Sequence, residues 1–166
     1  MPWSGRATSW PCFRRSREVS VFAIVEEKID VGAMIEAARR PDCGAVSTFV
    51  GTTRVDEAGG NAVEYLEYEA YRPMADGKLR EIGAEIEERW DVRHVSVVHR
   101  VGRVDPGEAS VAIVVAAPRR GPAFEASRYA IERIKEIVPI WKREVWSDGY
   151  VWVGSQVGTR PSVREA

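Results

Sequence analysis

The pattern of the chain predicts the α+β class, with helices packed on antiparallel sheets. Segments of strand and helix character alternate over the 166 residues in the approximate order β-α-β-β-α-β-β-α-β-β. Several strand segments follow one another across short loops, and such loops join antiparallel strands. Apolar residues make up 45 % of the chain and charged residues 30 %, which is ordinary for a domain with a buried core.

The first half of the chain contains three strand patterns and two helix patterns. Val19–Val25 is a short apolar run and Ala45–Thr52 is rich in β-branched residues, both of which are typical of strands. Val63–Tyr71 alternates strictly between two faces, as a half-buried strand does. Helical spacing predicts a helix over Val31–Arg40, ended by a Pro-Asp-Cys-Gly turn, and another over Pro73–Trp90, which carries an apolar stripe.

The second half adds four strand patterns and one helix pattern. Val92–Val101 and Ala109–Ala117 are apolar strands joined across an Asp-Pro-Gly-Glu turn. Pro122–Val138 has helical spacing and begins with proline, whose missing N–H costs nothing in the first helical turn. Ile140–Trp146 and Tyr150–Val153 flank a Ser-Asp-Gly turn, which predicts a hairpin.

The sequence divides into a basic extension, one domain and a short tail. We expect residues 1–18 to be disordered, because they carry four arginines, one glutamate and no apolar stretch like that of a signal peptide. An arm that touches a partner is the alternative. Residues 19–156 form the single domain, in which the glycine-containing segment Val55–Ala62 is a mobile loop, and residues 157–166 form a loose tail.

Composition argues against several classes of protein. The formal net charge of −1 argues against a general nucleic-acid binder, and no run of 18 apolar residues suggests a membrane span. Two cysteines cannot build a disulfide framework or a four-thiolate zinc site, and His94 and His99 stand five apart on a strand and so point to opposite faces. We therefore expect no metal, cofactor, nucleic acid or membrane, and a reducing cytoplasm as the compartment.

Half of the lysines in the chain lie in one short segment. Of 24 basic residues only four are lysines, and Lys135 and Lys142 stand seven apart with Pro139 between them. Because Pro139 ends the helix, the helix end and the next strand can aim both amines into one pocket. An amine that loses hydration can exchange a proton near neutral pH, which a guanidinium cannot do. The alternative is two solvated surface lysines.

Two arginines at the start of the last helix indicate an anion site. Arg119 and Arg120 lie between a strand end and a helix N-terminus, where free N–H groups and the helix dipole suit a phosphate. Arg54 adds a cation at the end of another strand. We expect the three guanidinium groups to converge on one anion, with solvated arginines as the alternative.

Aromatic residues of the C-terminal hairpin predict a homodimer. They are Trp141, Trp146, Tyr150 and Trp152. An exposed apolar sheet edge invites uncontrolled pairing, which joining it to a second copy prevents. The alternative is that these side chains complete the core of one chain.

A series of short motifs occurs in one order between Val21 and Val153. They are Gly44–Gly51 leading to Arg54, Leu66–Tyr71 with Met74, Arg89-Trp90, His99–Gly102 with Pro106–Glu108, Ala123–Ala126 and Pro139–Glu144. With these motifs the chain resembles the large, catalytic subunit of molybdopterin synthase over most of its length.

The resemblance implies an α/β-hammerhead-like arrangement and a sulfurtransferase activity. The enzyme adds two sulfur atoms to cyclic pyranopterin monophosphate and so makes the dithiolene of molybdopterin, a step of molybdenum cofactor biosynthesis. The sulfur arrives as a thiocarboxylate on the C-terminal glycine of a small ubiquitin-like subunit, whose tail enters a pocket of the large subunit. The large subunit is a homodimer with one small subunit at each end, a heterotetramer, and residues 19–156 are its catalytic domain.

The resemblance also assigns the candidate site residues. Lys135 and Lys142 match the two active-site lysines: Lys135 acts as acid, base or nucleophile, and Lys142 binds substrate or holds the thiocarboxylate. Phe49 and Arg54 match positions that line the pocket, and Arg120 matches an arginine that binds the anionic substrate.

Two positions depart from the family pattern. Arg119 stands where the family often has histidine, so it can hold an anion but cannot act as a base near neutral pH. Gln156 stands where some relatives have arginine. Two other functions remain open on the residues alone: a non-catalytic module that binds a phosphorylated small molecule or a ubiquitin-like partner, and a single-stranded nucleic-acid binder that uses aromatic and arginine side chains.

Overall fold

Two β-sheets and three helices form the body of the protein. The structure is a computed structural model and describes residues 20–54, 57–58, 61–147, 149–153 and 164–165. The strands are β1 (Phe22–Val25), β2 (Ala45–Thr52), β3 (Glu57–Ala58), β4 (Asn61–Ala62), β5 (Tyr65–Ala70), β6 (His94–Arg100), β7 (Gly102–Val104), β8 (Ala109–Ala117), β9 (Ile140–Trp146), β10 (Gly149–Val153) and β11 (Arg164–Glu165). The helices are α1 (Val31–Ala38), α2 (Arg72–Arg89) and α3 (Arg120–Ile137). The predicted α+β class is confirmed.

The first sheet is covered by helices on both faces. Its strand order is β1-β6-β8-β2, with β1 parallel to β6 and the other pairs antiparallel. Alternate residues of β8 face opposite ways: Ile113 lies in the core with α2 and α3, whereas Val114 packs with Met34 of α1. Because both faces are buried, β8 is a continuous apolar run rather than an alternating one.

The second sheet is antiparallel throughout, in the order β11-β10-β9-β5-β7. The predicted hairpin of β9 and β10 is present. On one face of this sheet the Arg143 guanidinium lies 4.8 Å from the centre of the Tyr150 ring and 5.7 Å from that of Trp152. Two of the aromatic side chains that suggested a dimer therefore pack within a single chain, and β11 covers the outer edge of the hairpin.

The remaining differences from the predicted elements are local. Helix α1 ends at Ala38, two residues early, and begins with the Asp30 carboxylate accepting a hydrogen bond from the Ala33 N–H at 2.9 Å. Strand β7 was not predicted; it follows β6 after Val101 alone and pairs with β5 in the other sheet. Within the predicted loop, β3 and β4 form a two-stranded ribbon.

The predicted termini lie largely outside the described residues. The extension at 1–18 does so entirely, as does Gln156. Residues 164–165 belong to the predicted loose tail, yet they form β11. In the described part of the chain, no helix has the length and apolar character that a membrane crossing requires.

Candidate active site

A cavity of about 430 Å³ lies where the end of α3 meets both sheets. It is lined by β2 and β8 of the first sheet, by β5 and β9 of the second, and by the last two turns of α3. Phe49, Lys135 and Lys142 all line it. The structure therefore brings together three of the six residues named from the sequence.

The turn after α3 sets the positions of the two lysines. The Val138 N–H donates to the Ile134 carbonyl and closes the helix, two residues before β9 begins at Ile140. The Pro139 carbonyl accepts a hydrogen bond from the Tyr71 N–H at 3.1 Å, which ties the turn to the start of α2. Lys135 thus sits on the last turn of the helix and Lys142 on the strand that follows, as the sequence predicted.

Lys142 lies between two neighbours in the second sheet. It is directly opposite Tyr68 of β5 and Val153 of β10, so the three side chains share one face of the sheet. The Lys142 Nζ is 3.6 Å from a carboxylate oxygen of Glu144. A lysine held beside a carboxylate can carry a positive charge at the cavity wall.

The expected desolvation of the lysines is not found in a single chain. Lys135 is exposed, and the side chain of Lys142 is 36 % exposed. Turns at the ends of helices leave long side chains in contact with water, because the amine extends beyond the packed apolar stem. Within one chain, therefore, neither lysine side chain is withdrawn from water.

The three arginines do not converge within one chain. Arg119 is the N-cap of α3 and Arg120 is its first residue, so Arg120 lies about 22 Å from Lys135 at a rise of about 1.5 Å per residue. Arg54 is exposed and follows β2 at its Thr52 end, whereas the arginine pair follows β8 beside Ala45 at the other end of β2. The expected common anion site is therefore wrong for a single chain, and the binding roles of these arginines remain predictions.

Sequence reasoning missed His99, which was considered only as a metal ligand. It lies near the end of β6, is 6 % exposed and lines the same cavity as the lysines. Its Nδ1 is 2.8 Å from the Arg100 carbonyl oxygen, and its ring meets that of Tyr68 edge to face at 5.2 Å between centres. Burial lowers the pKa of His99 to about 4, although the hydrogen bond to Arg100 acts in the opposite direction. Its place in the His-Arg-Val-Gly motif was the available signal.

Tyr68 is the other titratable group that sequence reasoning left out of the site. Burial raises its pKa, while a hydrogen bond with Ser110 lowers it. Ser110 also donates to the Gly51 carbonyl at 3.1 Å, and all three residues line the cavity. These contacts join the wall formed by β2 and β8 to the wall formed by β5.

Comparison with known proteins places this chain in a family. The family model described as MoaE protein matches residues 24–137, more than half of the chain. The chain belongs to the MoaE family. The predicted membership of the family of molybdopterin synthase catalytic subunits is thereby confirmed.

Individual members of the MoaE family agree with this result. A protein of Halalkalibacterium halodurans named molybdopterin synthase catalytic subunit is 50 % identical over 138 residues, which are 83 % of this chain and 88 % of the relative. The crystal structure of molybdopterin synthase from Staphylococcus aureus is 48 % identical, with a TM-score of 0.76 over 80 % of this chain and 96 % of that one.

A more distant structure shares the fold alone. A structure from Helicobacter pylori 26695, described as a protein-protein complex of subunit 1 and 2 of molybdopterin-converting factor, is 22 % identical and has a TM-score of 0.67. It covers 80 % of this chain and 90 % of that one. The MoaE fold is therefore retained at low sequence identity.

Proposed function

We propose that this chain is the catalytic subunit of a molybdopterin synthase and acts as a sulfurtransferase in molybdenum cofactor biosynthesis. It transfers sulfur from the C-terminal thiocarboxylate of a small ubiquitin-like subunit to cyclic pyranopterin monophosphate, forming the molybdopterin dithiolene. The observation that carries this proposal is the meeting of Lys135 and Lys142 in one cavity of a MoaE-family chain.

The size and charge of the cavity support this proposal. Its volume of about 430 Å³ falls within the range of about 300 to 1,000 Å³ typical of small-molecule sites. Two amines can attract a thiocarboxylate and a phosphorylated substrate, and they can stabilise negative charge that develops on oxygen or sulfur. Lys135, exposed on the last turn of α3, is the proposed acid, base or nucleophile. Lys142, beside Glu144, is the proposed holding group.

A small protein subunit is the proposed sulfur donor. The Helicobacter pylori structure contains two different subunits, which supports a two-subunit enzyme in this fold. The cavity is open to solvent at the exposed Lys135, so an extended tail can reach it from outside. A reducing cytoplasm, which preserves a thiocarboxylate and free cysteines, is the compartment we propose.

A homodimer is the proposed assembly, formed through the edge strand β2. No described strand pairs with its outer edge, and its Val46, Phe49 and Val50 are 38 %, 36 % and 37 % exposed. An exposed apolar edge strand is prone to pair with another strand. Pairing about a two-fold axis stops at two copies, because each copy then uses its exposed edge.

This mode of dimerisation also accounts for the arginines. Antiparallel pairing of two β2 strands places the Ala45 end of one copy beside the Thr52 end of the other. Arg119 and Arg120 follow β8 beside the Ala45 end of β2, whereas the Thr52 end of β2 lines the cavity that holds the lysines. In the dimer, the arginine pair of one copy therefore lies beside the lysine cavity of the other copy. If the two-fold axis is perpendicular to the sheet, the α3 helices of both copies lie on the same face of the joined sheet.

The test is reconstitution with the proposed partners. The purified chain is incubated with a thiocarboxylated small subunit and cyclic pyranopterin monophosphate, and the dithiolene product is measured. The proposal expects product that depends on the thiocarboxylate. Binding of the small subunit and the precursor without product would instead identify the chain as a non-catalytic binding module.

A further inference from the structure

His99 is the buried nitrogen base of the lysine cavity, and the mechanism described so far does not use it. It stands directly opposite Val111 of β8 and Ile24 of β1, so its backbone is held on both sides within the first sheet. Its ring is packed edge to face against Tyr68 of the second sheet. Both contacts hold the ring in one orientation at the floor of the cavity.

The hydrogen bond at Nδ1 determines which nitrogen carries the proton. The partner of Nδ1 is the Arg100 carbonyl oxygen, 2.8 Å away, and a carbonyl oxygen can only accept. Nδ1 therefore carries the hydrogen, and Nε2 of the neutral ring carries a lone pair. Among the described residues, none donates a hydrogen bond to Nε2.

The other titratable groups that face the cavity do not compete for this role. On α3 and β9 the groups are the amines of Lys135 and Lys142, with the Glu144 carboxylate 3.6 Å from the latter. On β5 the group is the Tyr68 phenol, whose pKa is raised by burial, and β8 contributes only the neutral Ser110 hydroxyl. The lowered pKa of His99, caused by burial, keeps its ring uncharged near pH 7.

We propose that His99 Nε2 is the general base that activates water to release the small subunit after sulfur has been transferred. This inference rests on the proposed function, in which the transferred sulfur is at first joined both to the acyl carbon of the small subunit and to the pterin. The intermediate is a thioester, and its cleavage needs a deprotonated water beside it.

The step balances with water as the only co-reactant. As water attacks the acyl carbon, His99 Nε2 takes one of its protons and a carbon–oxygen bond forms. The carbon–sulfur bond then breaks, and its electron pair leaves on sulfur as a thiolate. The small subunit departs as a carboxylic acid that ionises to a carboxylate, and the imidazolium returns its proton to the thiolate or to solvent. The two amines stabilise the negative charge on oxygen and sulfur.

Two substitutions separate this role from a structural one. Asparagine places an amide N–H where Nδ1 stands, so His99→Asn can keep the bond to the Arg100 carbonyl while removing the base. Tyr68→Phe serves as a control for packing only, because it keeps the ring contact with His99. Thermal unfolding of both variants is compared with that of the wild type.

The main measurement is turnover of the holoenzyme reconstituted with thiocarboxylated small subunit and precursor, followed by intact mass. We expect His99→Asn to lower kcat by about 10²-fold, the usual scale for a lost general base, with little change in KM. The small subunit should accumulate as a thioester adduct that added hydroxylamine cleaves. A normal kcat, or a lowered kcat without this adduct, would overturn the proposal.

A second measurement is independent of activity. Only two histidines occur in the chain, so ¹⁵N imidazole spectra of wild type and His99→Asn identify the His99 signals. At pH 7 we expect a proton on Nδ1 and none on Nε2; a proton on Nε2 overturns the inference. Wild-type enzyme that makes no product overturns the proposed function together with this step, whereas normal wild-type and variant turnover overturns the His99 step alone.

Discussion

Arg120 and Lys135 lie at opposite ends of α3, about 22 Å apart along its axis. Both are proposed site residues, yet this distance is far longer than either side chain. A rigid helix cannot shorten it, so the two residues can serve one reaction only if they belong to different copies of the chain. Their separation is thus a structural argument for a site shared across a dimer.

The first prediction is complementation between two inactive variants. Lys135→Ala and Arg120→Ala should each lose most activity alone, because every site in either homodimer lacks one group. Random mixing by co-refolding should restore about a quarter of wild-type activity, since half of the dimers are mixed and one of the two sites in each is complete.

The control for this experiment is Arg128→Ala, also on α3 but paired with Glu132 on the exposed face. It should keep nearly normal activity and give no complementation effect. Mass measurement must first show that mixed dimers of the Lys135 and Arg120 variants have formed. If these dimers recover no activity, the shared site is wrong: either both residues act in the site of a single chain, or Arg120 is not part of the site.

The second prediction concerns the chemistry of Lys135. Lys135→Ala should lower turnover by about 10²-fold or more, and Lys135→Arg almost as much, because arginine keeps the charge but not a labile proton. The matched control is Lys78→Ala, which removes a surface lysine paired with Glu81 on α2 and should leave turnover unchanged. Single-turnover rates at saturating substrate make the comparison, and a near-normal rate for Lys135→Arg would contradict a proton-transfer or nucleophilic role.

The sequence was sufficient to predict the three helices and the longer strands, but not the short strands β3, β4, β7 and β11 or the distances between elements. The spacing of apolar residues and the Pro139 break placed Lys135 and Lys142 correctly, because a helix end and the next strand are local features. The expected convergence of Arg54 with Arg120 failed because it depends on which end of β2 each residue occupies. That register is set by the pairing of β2 with β8, which local patterns do not encode.

His99 shows a second limit of sequence reasoning. Its strand position led us to consider it only as a metal ligand, and did not indicate that β5 of the other sheet brings Tyr68 against its ring. That contact arises between residues distant in the chain, as does the bond from Arg133 to Glu85. Local sequence patterns do not identify a residue whose role depends on contacts with another sheet or helix.

The third prediction is that Gly51→Ala destabilises the fold and the cavity. A Cβ at this position would stand 2.6 Å from Cγ1 of Val111, a buried and stiff β-branched side chain. We expect a loss of about 1–3 kcal/mol in the free energy of unfolding, the usual range for overpacking. Adding Val111→Ala should recover part of the overpacking cost, which urea denaturation measures.

Gly77→Ala is the matched control for this substitution. Gly77 lies within α2, where an added Cβ meets nothing within 4 Å. Alanine has the higher helix propensity, so this variant should gain about 1 kcal/mol. Equal effects of both substitutions would mean that the approach of Val111 to Gly51 is not tight.

The fourth prediction concerns the link between α2 and α3. The Glu85 carboxylate accepts hydrogen bonds from Arg133 at 2.9 and 3.0 Å and from the Tyr129 hydroxyl at 2.7 Å, and the bonds from Arg133 and Tyr129 lower its pKa from 4.5 to about 2. Glu85→Gln should lower the free energy of unfolding by about 1 kcal/mol at pH 7, as for a well-oriented exposed pair.

The effect of Glu85 on the free energy of unfolding should depend on pH in one direction. Because the folded-state pKa is depressed, the stabilising effect of Glu85 is complete above pH 4.5 and is lost as the pH falls towards about 2. The difference between wild type and Glu85→Gln should therefore shrink over that interval. Glu132→Gln, which breaks the exposed pair with Arg128, should show a smaller effect at every pH.

The fifth prediction is that His99 makes the protein less stable as the pH falls below about 6.5. Burial lowers the pKa of His99 from 6.5 to about 4 in the folded state, so between these values the unfolded chain binds a proton that the folded chain does not. Linkage then requires stability to rise with pH across this window, and the loss between pH 7 and pH 5 should be about 2 kcal/mol.

This window separates His99 from the carboxylates. Glu85 and Glu108 have folded-state pKa values of about 2, and their effect on stability begins below about pH 4.5. Urea denaturation at pH 7, 6 and 5 therefore reports on the two histidines rather than on the carboxylates, and the His99→Asn variant separates His99 from His94. His99→Asn should flatten the pH dependence because an amide does not titrate, whereas Tyr68→Phe should retain it. An equal slope in wild type and His99→Asn would contradict the lowered pKa, because it would mean that the His99 ring becomes protonated in the folded protein as readily as in the unfolded chain.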